Sequence, residues 1–449
     1  MSIKPSRCVR WLVLVACLAF GASAHAKDVG EIALVEDVDG SIAAAGGSFL
    51  PQEVIAKASC AFLQSHADKY GLHVFFFTFP LGLFGGTPTG WPVTVPAKGI
   101  GLDGWGDHGA AFCAPGGTLR HAIKMGELDA LPDDPDALYT LTAAGLSAIE
   151  VLGHELGHQW MAAVNFKLAD GQLHCLHRQF KSGNTSGRNA QCDGYAMSDF
   201  ATHWSAFFAG GSVMYGNSID DLGNGRFRLY NNGPKYSAFD QYLMGLRDKR
   251  EVPAMFVIAP SDLANSGSGD YPQPPGAEKI VSGTRIDFTV DDVIRVHGPR
   301  DPAVEPCHWK AAFAIVHPKD APPSAAQIAK VDAYRKRFEA FYATATDQRG
   351  SIDTTLAATG AGTTGCPASG IRPDGGAAQD AATPGDGGLG GEPASDAGND
   401  ANPPGGCSCR SADGEPAAGA TWICFALLAL ALLAARRGTT CRRLPRRSK

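Results

Sequence analysis

Apolar side chains fall along this chain in runs whose period changes from segment to segment. Residues 52–70 gather Ile55, Ala58, Cys60, Ala61, Phe62 and His66 into one broad band, which predicts a helix. The stretch HVFFFTF at 73–79 is β-prone throughout and predicts a buried strand. Glycine and proline crowd residues 82–109, so loops and short strands are expected there. TLRHAIKM at 118–125 alternates well enough for another strand. Asp133, Asp134 and Asp136 supply helix-start chemistry ahead of a long helix-prone run, 138–166. Within that run Leu141, Ala144, Ala148, Ile149, Leu152 and Leu156 keep helical spacing. Farther on, 183–194 reads as polar loop, 195–208 as a short helix, and 223–230 as a tight turn followed by alternating residues. Helix is expected again at 237–246 and 324–345, with a strand at 252–260. Interleaved helices and strands of this kind predict an α+β domain built on a mixed sheet.

Both ends of the chain break from that pattern. Lys4, Arg7 and Arg10 precede an apolar run from Trp11 to Phe20, and Ala24, His25 and Ala26 follow as a small-residue cleavage site. This is the layout of a signal peptide, predicted over 1–26. A domain is expected over 27–357. Residues 358–406 are rich in Gly, Ala, Asp and Pro and nearly devoid of large apolar side chains, so they predict a solvated linker. At 407–449 come Cys407 and Cys409, the apolar run TWICFALLALALLAA at 421–435, and a cluster beginning with Arg436 and Arg437. Extended back to Ala417, that run is long enough to span a bilayer, with the arginines kept cytoplasmic.

Composition narrows the function classes. Net charge is -6 and charged residues make up 19% of the chain, leaving no basic footprint for nucleic acid. The mature part ahead of the tail holds Cys60, Cys113, Cys175, Cys192, Cys307 and Cys366. An even number in an exported chain points to disulfides, with Cys175 and Cys192 the first expected pair. A capping role for Cys60 at a metal is the alternative at that position.

The chemistry concentrates in GHELGHQW, residues 153–160. On a helix His154 and His158 stand one turn apart on one face, so both imidazoles can meet one ion. Glu155 turns to the side, where it can hold and deprotonate a zinc-bound water and then pass the proton to a leaving amine. Zn2+ is therefore the expected cofactor. No third histidine follows within three to six residues of His158. His174 and His177 flank Cys175 in a polar loop and are read as solvated loop residues beside a disulfide. Two segments compete for the third ligand: His203 of ATHWSAFFAGGSVMYGN, and Asp240 of YSAFDQYLMGL. In place of ligation, Asp240 could cap a helix, hold a ligand histidine or bind a structural cation, roles for which Asp193 and Asp199 are lesser candidates. The small Gly153 and Gly157 are expected to admit a close neighbour to the helix.

These motifs carry a resemblance. SVMYG after His203 resembles the methionine turn of metzincin zinc peptidases, although Tyr215 directly follows Met214 and the spacing from HELGH exceeds the HExxHxxGxxH form. HELGHxW, HWS, GSVMxGN and YSxxDxYLMGL together resemble a group of exported HExxH metalloproteases of myxobacterial type, over roughly residues 60–350. The Cys–apolar–Arg tail resembles the MYXO-CTERM sorting signal. The resemblance implies a zincin-like domain with a long HExxH helix and Met214 near the zinc. It also implies peptide-bond hydrolysis at the cell surface or outer membrane, anchored through the C-terminal helix. Asp240 competes with His203 because other zincins take a downstream acid as third ligand. Tyr215 or His203, whichever is not otherwise engaged, is the candidate oxyanion donor, and the strand around Ile123 and Met125 a candidate edge for a protein or peptide substrate. A zinc amidase acting on cell-wall material, or a surface adhesion protein with a structural metal, are the rival readings.

Overall fold

The computed structural model describes residues 28–356 apart from 48–50, 83–85, 140–144, 177–202, 232, 234, 261–272 and 304–306, together with the backbone of Thr363–Thr364. The signal-peptide and sorting-signal expectations lie outside these residues, as do Cys192, Asp193, Asp199, His177 and all of the expected linker except Thr363–Thr364, which pair as a strand instead of running as solvated chain. No helix among the described residues is long and apolar enough to cross a membrane.

In chain order the elements are β1 (Ala33–Asp37), α1 (Ser41–Ala45), α2 (Pro51–Leu63), β2 (Leu72–Phe77), β3 (Thr89–Pro92), β4 (His121–Glu127), α3 (Ala148–Gly157), β5 (Asn165–Lys167) and β6 (Leu173–Cys175). There follow β7 (Ser218–Asp221), β8 (Arg226–Tyr230), α4 (Ala238–Leu243), β9 (Met255–Pro260), β10 (Glu278–Phe288), α5 (Val290–His297), β11 (His308–Pro318), α6 (Ala325–Ala345), β12 (Ser351–Asp353) and β13 (Thr363–Thr364). The class is α+β with a mixed main sheet.

That sheet runs β1-β11-β2-β4-β3, with β12 and β13 also on β11. β1, β11, β2 and β4 are mutually parallel, and β3 closes one edge antiparallel to β4. Parallel strands buried on both faces need apolar side chains in both directions. β2 meets that need: Leu72, Val74 and Phe76 join one core, Phe75 and Phe77 the other. Ala311, Phe313 and Ile315 of β11 repeat the pattern against Ala312, Ala314 and Val316. The first core takes in α3 and α6, the second α1 and α2. A second sheet, β7-β8-β10-β9, is antiparallel, and its β7–β8 hairpin turns through Gly223, Asn224 and Gly225 in left-handed backbone.

Several expectations need correction. The helix expected over 138–166 is short: α3 covers Ala148–Gly157 only. Ser147 and Glu150 form a reciprocal capping box at its start, Gly145 just before it has φ +65°, and Ala162 beyond its end is left-handed at φ 61°. Local capping chemistry thus overrides the longer helical pattern. Residues 203–208, the described part of the helix expected at 195–208, form bends, turns and isolated bridges instead. β1, β10 and the central β11 were not anticipated. β4 is no edge, because Ile123 pairs with Val74 on one side and Gly90 on the other. The edge is β3. Cys60 is bonded to Cys113, which removes it as a metal cap, and Cys307 is likewise in a disulfide.

Candidate metal and acid–base site

Helix α3 owes its position to apolar burial on one side and close approach on the others. Ile149, Val151, Leu152 and Leu156 are buried in the core with α6. A Cβ at Gly153 would stand 2.2 Å from Phe341 Cε1, so only glycine allows α6 this close. At Gly157 it would meet Met214 Sδ at 2.4 Å, which places the Met214 side chain against the helix end. Both glycines therefore admit side chains, not a neighbouring backbone. Tyr236 locks the same turn, its hydroxyl donating to the Gly153 carbonyl at 2.6 Å.

His154 lies in the last turn of α3 and His158 is its C-cap. His203 joins them from far along the chain. The ligand atoms of His154, His158 and His203 all lie within 4.8 Å of one another, the one such group found among the described residues. His203 Nε2 is 3.0 Å from His154 Nε2. His154 uses its other nitrogen, Nδ1, against the Val213 carbonyl at 2.7 Å. That bond leaves Nε2 as the ligating atom and fixes the ring. Nitrogens about 2.0–2.1 Å from a tetrahedral ion stand about 3.3 Å apart, so the spacing suits a metal. Burial drives the His158 pKa well below the ordinary histidine value, which keeps the ring neutral and able to ligate.

The segment bearing His203 is braced by Asp240, whose carboxylate is wholly buried. Its Oδ1 accepts from Trp204 Nε1 at 2.7 Å, and its Oδ2 accepts from the Ser237 N–H at 2.8 Å in the capping box of α4. Ser212 also bonds it, while the Ser212 hydroxyl accepts from the Met214 N–H at 2.9 Å. The Trp204 N–H donates to the Met214 carbonyl at 2.9 Å, tying the two ends of the turn together. Phe207 and Phe208 attach the turn to β9 through Ile258 N–H to Phe207 O at 2.9 Å and a bridge to Val257. Asp240 is thus outside the histidine group, and its carboxylate braces the segment that carries His203. His174 is likewise elsewhere, stacked on Phe166 at 4.9 Å.

Tyr215 stacks on His203 at 4.5 Å with its ring nearly parallel, and lies 4.7 Å from the His154 ring. Its backbone holds φ 91°, a left-handed conformation costly for a non-glycine residue and tolerated only where the surroundings enforce it.

Glu155 lies between the histidines and the sheet edge. The Gly90 N–H donates to its Oε2 at 2.6 Å, and His158 Nε2 lies 3.8 Å from the same oxygen. Burial pushes its pKa up to about 7, against the opposing effects of the Gly90 N–H and the Lys124 ammonium. Three further residues around it carry no signal in the HELGH motif. Lys124 is buried on β4 with its pKa brought down to about 8 by burial, and it donates to the Thr87 carbonyl at 2.6 Å. The His121 Nε2–H donates to the Glu155 carbonyl at 2.8 Å, and its Nδ1 lies 3.2 Å from Gln159 Oε1. Gln159 Nε2 in turn donates to the Thr94 carbonyl at 3.0 Å, so the network joins the end of α3 to the edge of the sheet. The available hint was polar residues, His121 and Lys124, in an otherwise apolar strand.

No protein-family model matches this chain, and no curated protein or solved structure matches it. The functional reading therefore rests on the geometry of the residues themselves.

Proposed function

We propose that this chain is a zinc-dependent peptidase with a zincin-like domain, in which His154, His158 and His203 hold the ion and Glu155 is the general base. The observation that carries the reading is the convergence of three imidazoles beside a buried carboxylate whose pKa is raised to about 7. When bound, zinc polarises a carbonyl and brings the pKa of water toward about 7. Glu155 is then suited to accept a proton from water and return it to the departing amine, since a pKa near the working pH serves both directions. The Gly90 N–H orients its carboxylate, and Val213 holds the His154 ring. Met214 fills the space beneath Gly157, and Tyr215, stacked on two of the proposed ligands, is assigned as donor to the tetrahedral oxyanion. The Ala24–Ala26 cleavage pattern and the Cys–apolar–Arg tail support export and membrane anchoring at the cell surface.

Zinc content and cleavage of a panel of short fluorogenic peptides test this together. Wild type is expected to bind zinc and cleave. Glu155→Gln is expected to keep zinc and lose turnover by about 10²–10⁴-fold, the worth of general acid–base catalysis. Cleavage unaffected by that substitution sinks the mechanism.

A further inference from the structure

The edge strand β3 runs beside Glu155, so its outward backbone would be the rail for an extended chain added to the sheet. In an antiparallel pair, successive residues present their N–H and C=O alternately to the partner strand and away from it. The Val93 N–H donates to the Arg120 carbonyl at 2.8 Å, whereas the Gly90 N–H donates outward to Glu155 at 2.6 Å. Gly90 and Pro92 are therefore the outward positions of β3. Pro92 has no N–H, and neither does Pro88 just ahead of the strand. The Pro92 carbonyl accepts from Trp105 Nε1 at 2.7 Å. Beyond it the rail is closed, since the Val93 carbonyl accepts from the His108 N–H at 2.8 Å and Thr94 bridges to Asp107. Among the described residues, the outward rail of β3 thus offers one acceptor, the Gly90 carbonyl, and no unengaged donor.

Resting on the peptidase reading, we infer that the site takes short peptides or peptide-like amides that supply their own N–H groups. It does not take an extended polypeptide gripped as a further strand. One ordinary hydrogen bond is worth about tenfold or less in affinity, so a longer chain gains little from this edge. Specificity then lies with Pro92 and Trp105, which remove a donor and an acceptor from the rail.

The test is equilibrium binding by fluorescence anisotropy to the zinc-loaded full-length chain. The probes are a labelled phosphinate pseudo-tripeptide and the same unit extended with alanine to about nine residues. The two are expected to bind within about tenfold of each other, the worth of one hydrogen bond, and extension that tightens binding by more than that overturns the inference. Pro92→Ala restores an outward N–H, and with Trp105→Phe frees the carbonyl; the double variant is expected to favour the long probe by about threefold to tenfold. Thermal melting checks its fold, and Pro92→Ala alone serves if the double variant does not fold. An unchanged ratio in a folded variant overturns the inference, as does self-association with an unchanged ratio, which would make the blunted edge a guard against aggregation only. Binding of zinc but of neither probe overturns the peptidase reading itself, whereas binding of both with a strong preference for length overturns the substrate class alone.

Discussion

His203 and Asp240 divide two roles that their chemistry alone left interchangeable. A carboxylate and an imidazole can each complete a two-histidine zinc site. Here both oxygens of Asp240 are taken by buried donors, while His203 Nε2 faces His154. Different failures follow for the two side chains. His203→Ala is expected to abolish stable zinc binding while leaving the urea midpoint of the zinc-free protein little changed. Asp240→Ala strands the indole N–H of Trp204 and the N–H of Ser237, each unpaired donor costing about 1–3 kcal/mol. It is expected to lower stability first and zinc affinity by about 10–100-fold through misplacement of His203. Chelator competition and urea unfolding on both variants read the difference. Zinc retained by His203→Ala and lost from a still-stable Asp240→Ala would reverse the assignment.

At the scale of elements, the site depends on α3 lying against β3 with nothing between them. A Cβ at Gly90 would stand 2.0 Å from the Glu155 carbonyl oxygen and 2.8 Å from His121 Nε2. The first of these is helix backbone, which cannot turn aside as a side-chain tip can. Gly90→Ala is therefore expected to push strand and helix apart, costing about 1–3 kcal/mol as overpacking does. Because the same residue donates to Glu155, kcat/KM should fall at least about tenfold. Gly104→Ala, where an added Cβ meets nothing within 4 Å, is the matched control and should stay within about 0.5 kcal/mol of wild type. A Gly90→Ala protein with wild-type melting and turnover would show that the contact is dispensable.

Across the whole molecule, histidines buried in the core contribute to the response to acid. His73 is packed among Phe62, Tyr70 and Phe75, and burial takes its pKa down to about 3. His121 falls to about 4 for the same reason, opposed by its two contacts. The unfolded chain binds these protons near pH 6.5 and the folded chain does not. Their contribution is thus fully present above that pH and is lost as pH falls toward 4 and then 3. Each histidine contributes a slope of about 1.4 kcal/mol per pH unit within its window. Melting temperature should decline below pH 6.5, and His73→Phe, which keeps a ring in that aromatic nest, should flatten the decline. An identical acid profile in the variant would remove His73 from the account.

Much of the candidate site was written locally. HELGH places two imidazoles and a carboxylate by helical periodicity alone, and the capping pattern of 324–345 and the turn at 223–225 likewise depend on near neighbours. Sequence also named His203 and Asp240 as rivals, because both residue types suit the task. It overextended α3, since a periodic apolar band does not reveal that Ser147 and Glu150 restart the helix. It missed β11, the centre of the sheet, and with it the fact that β4 is interior and β3 is the edge. Strand order depends on pairing between segments hundreds of residues apart, which no local pattern encodes. Only the tertiary structure shows that His203 joins His154 and His158 while Asp240 does not, because burial and the donors of Trp204 and Ser237 engage the carboxylate and leave the imidazole facing the other two.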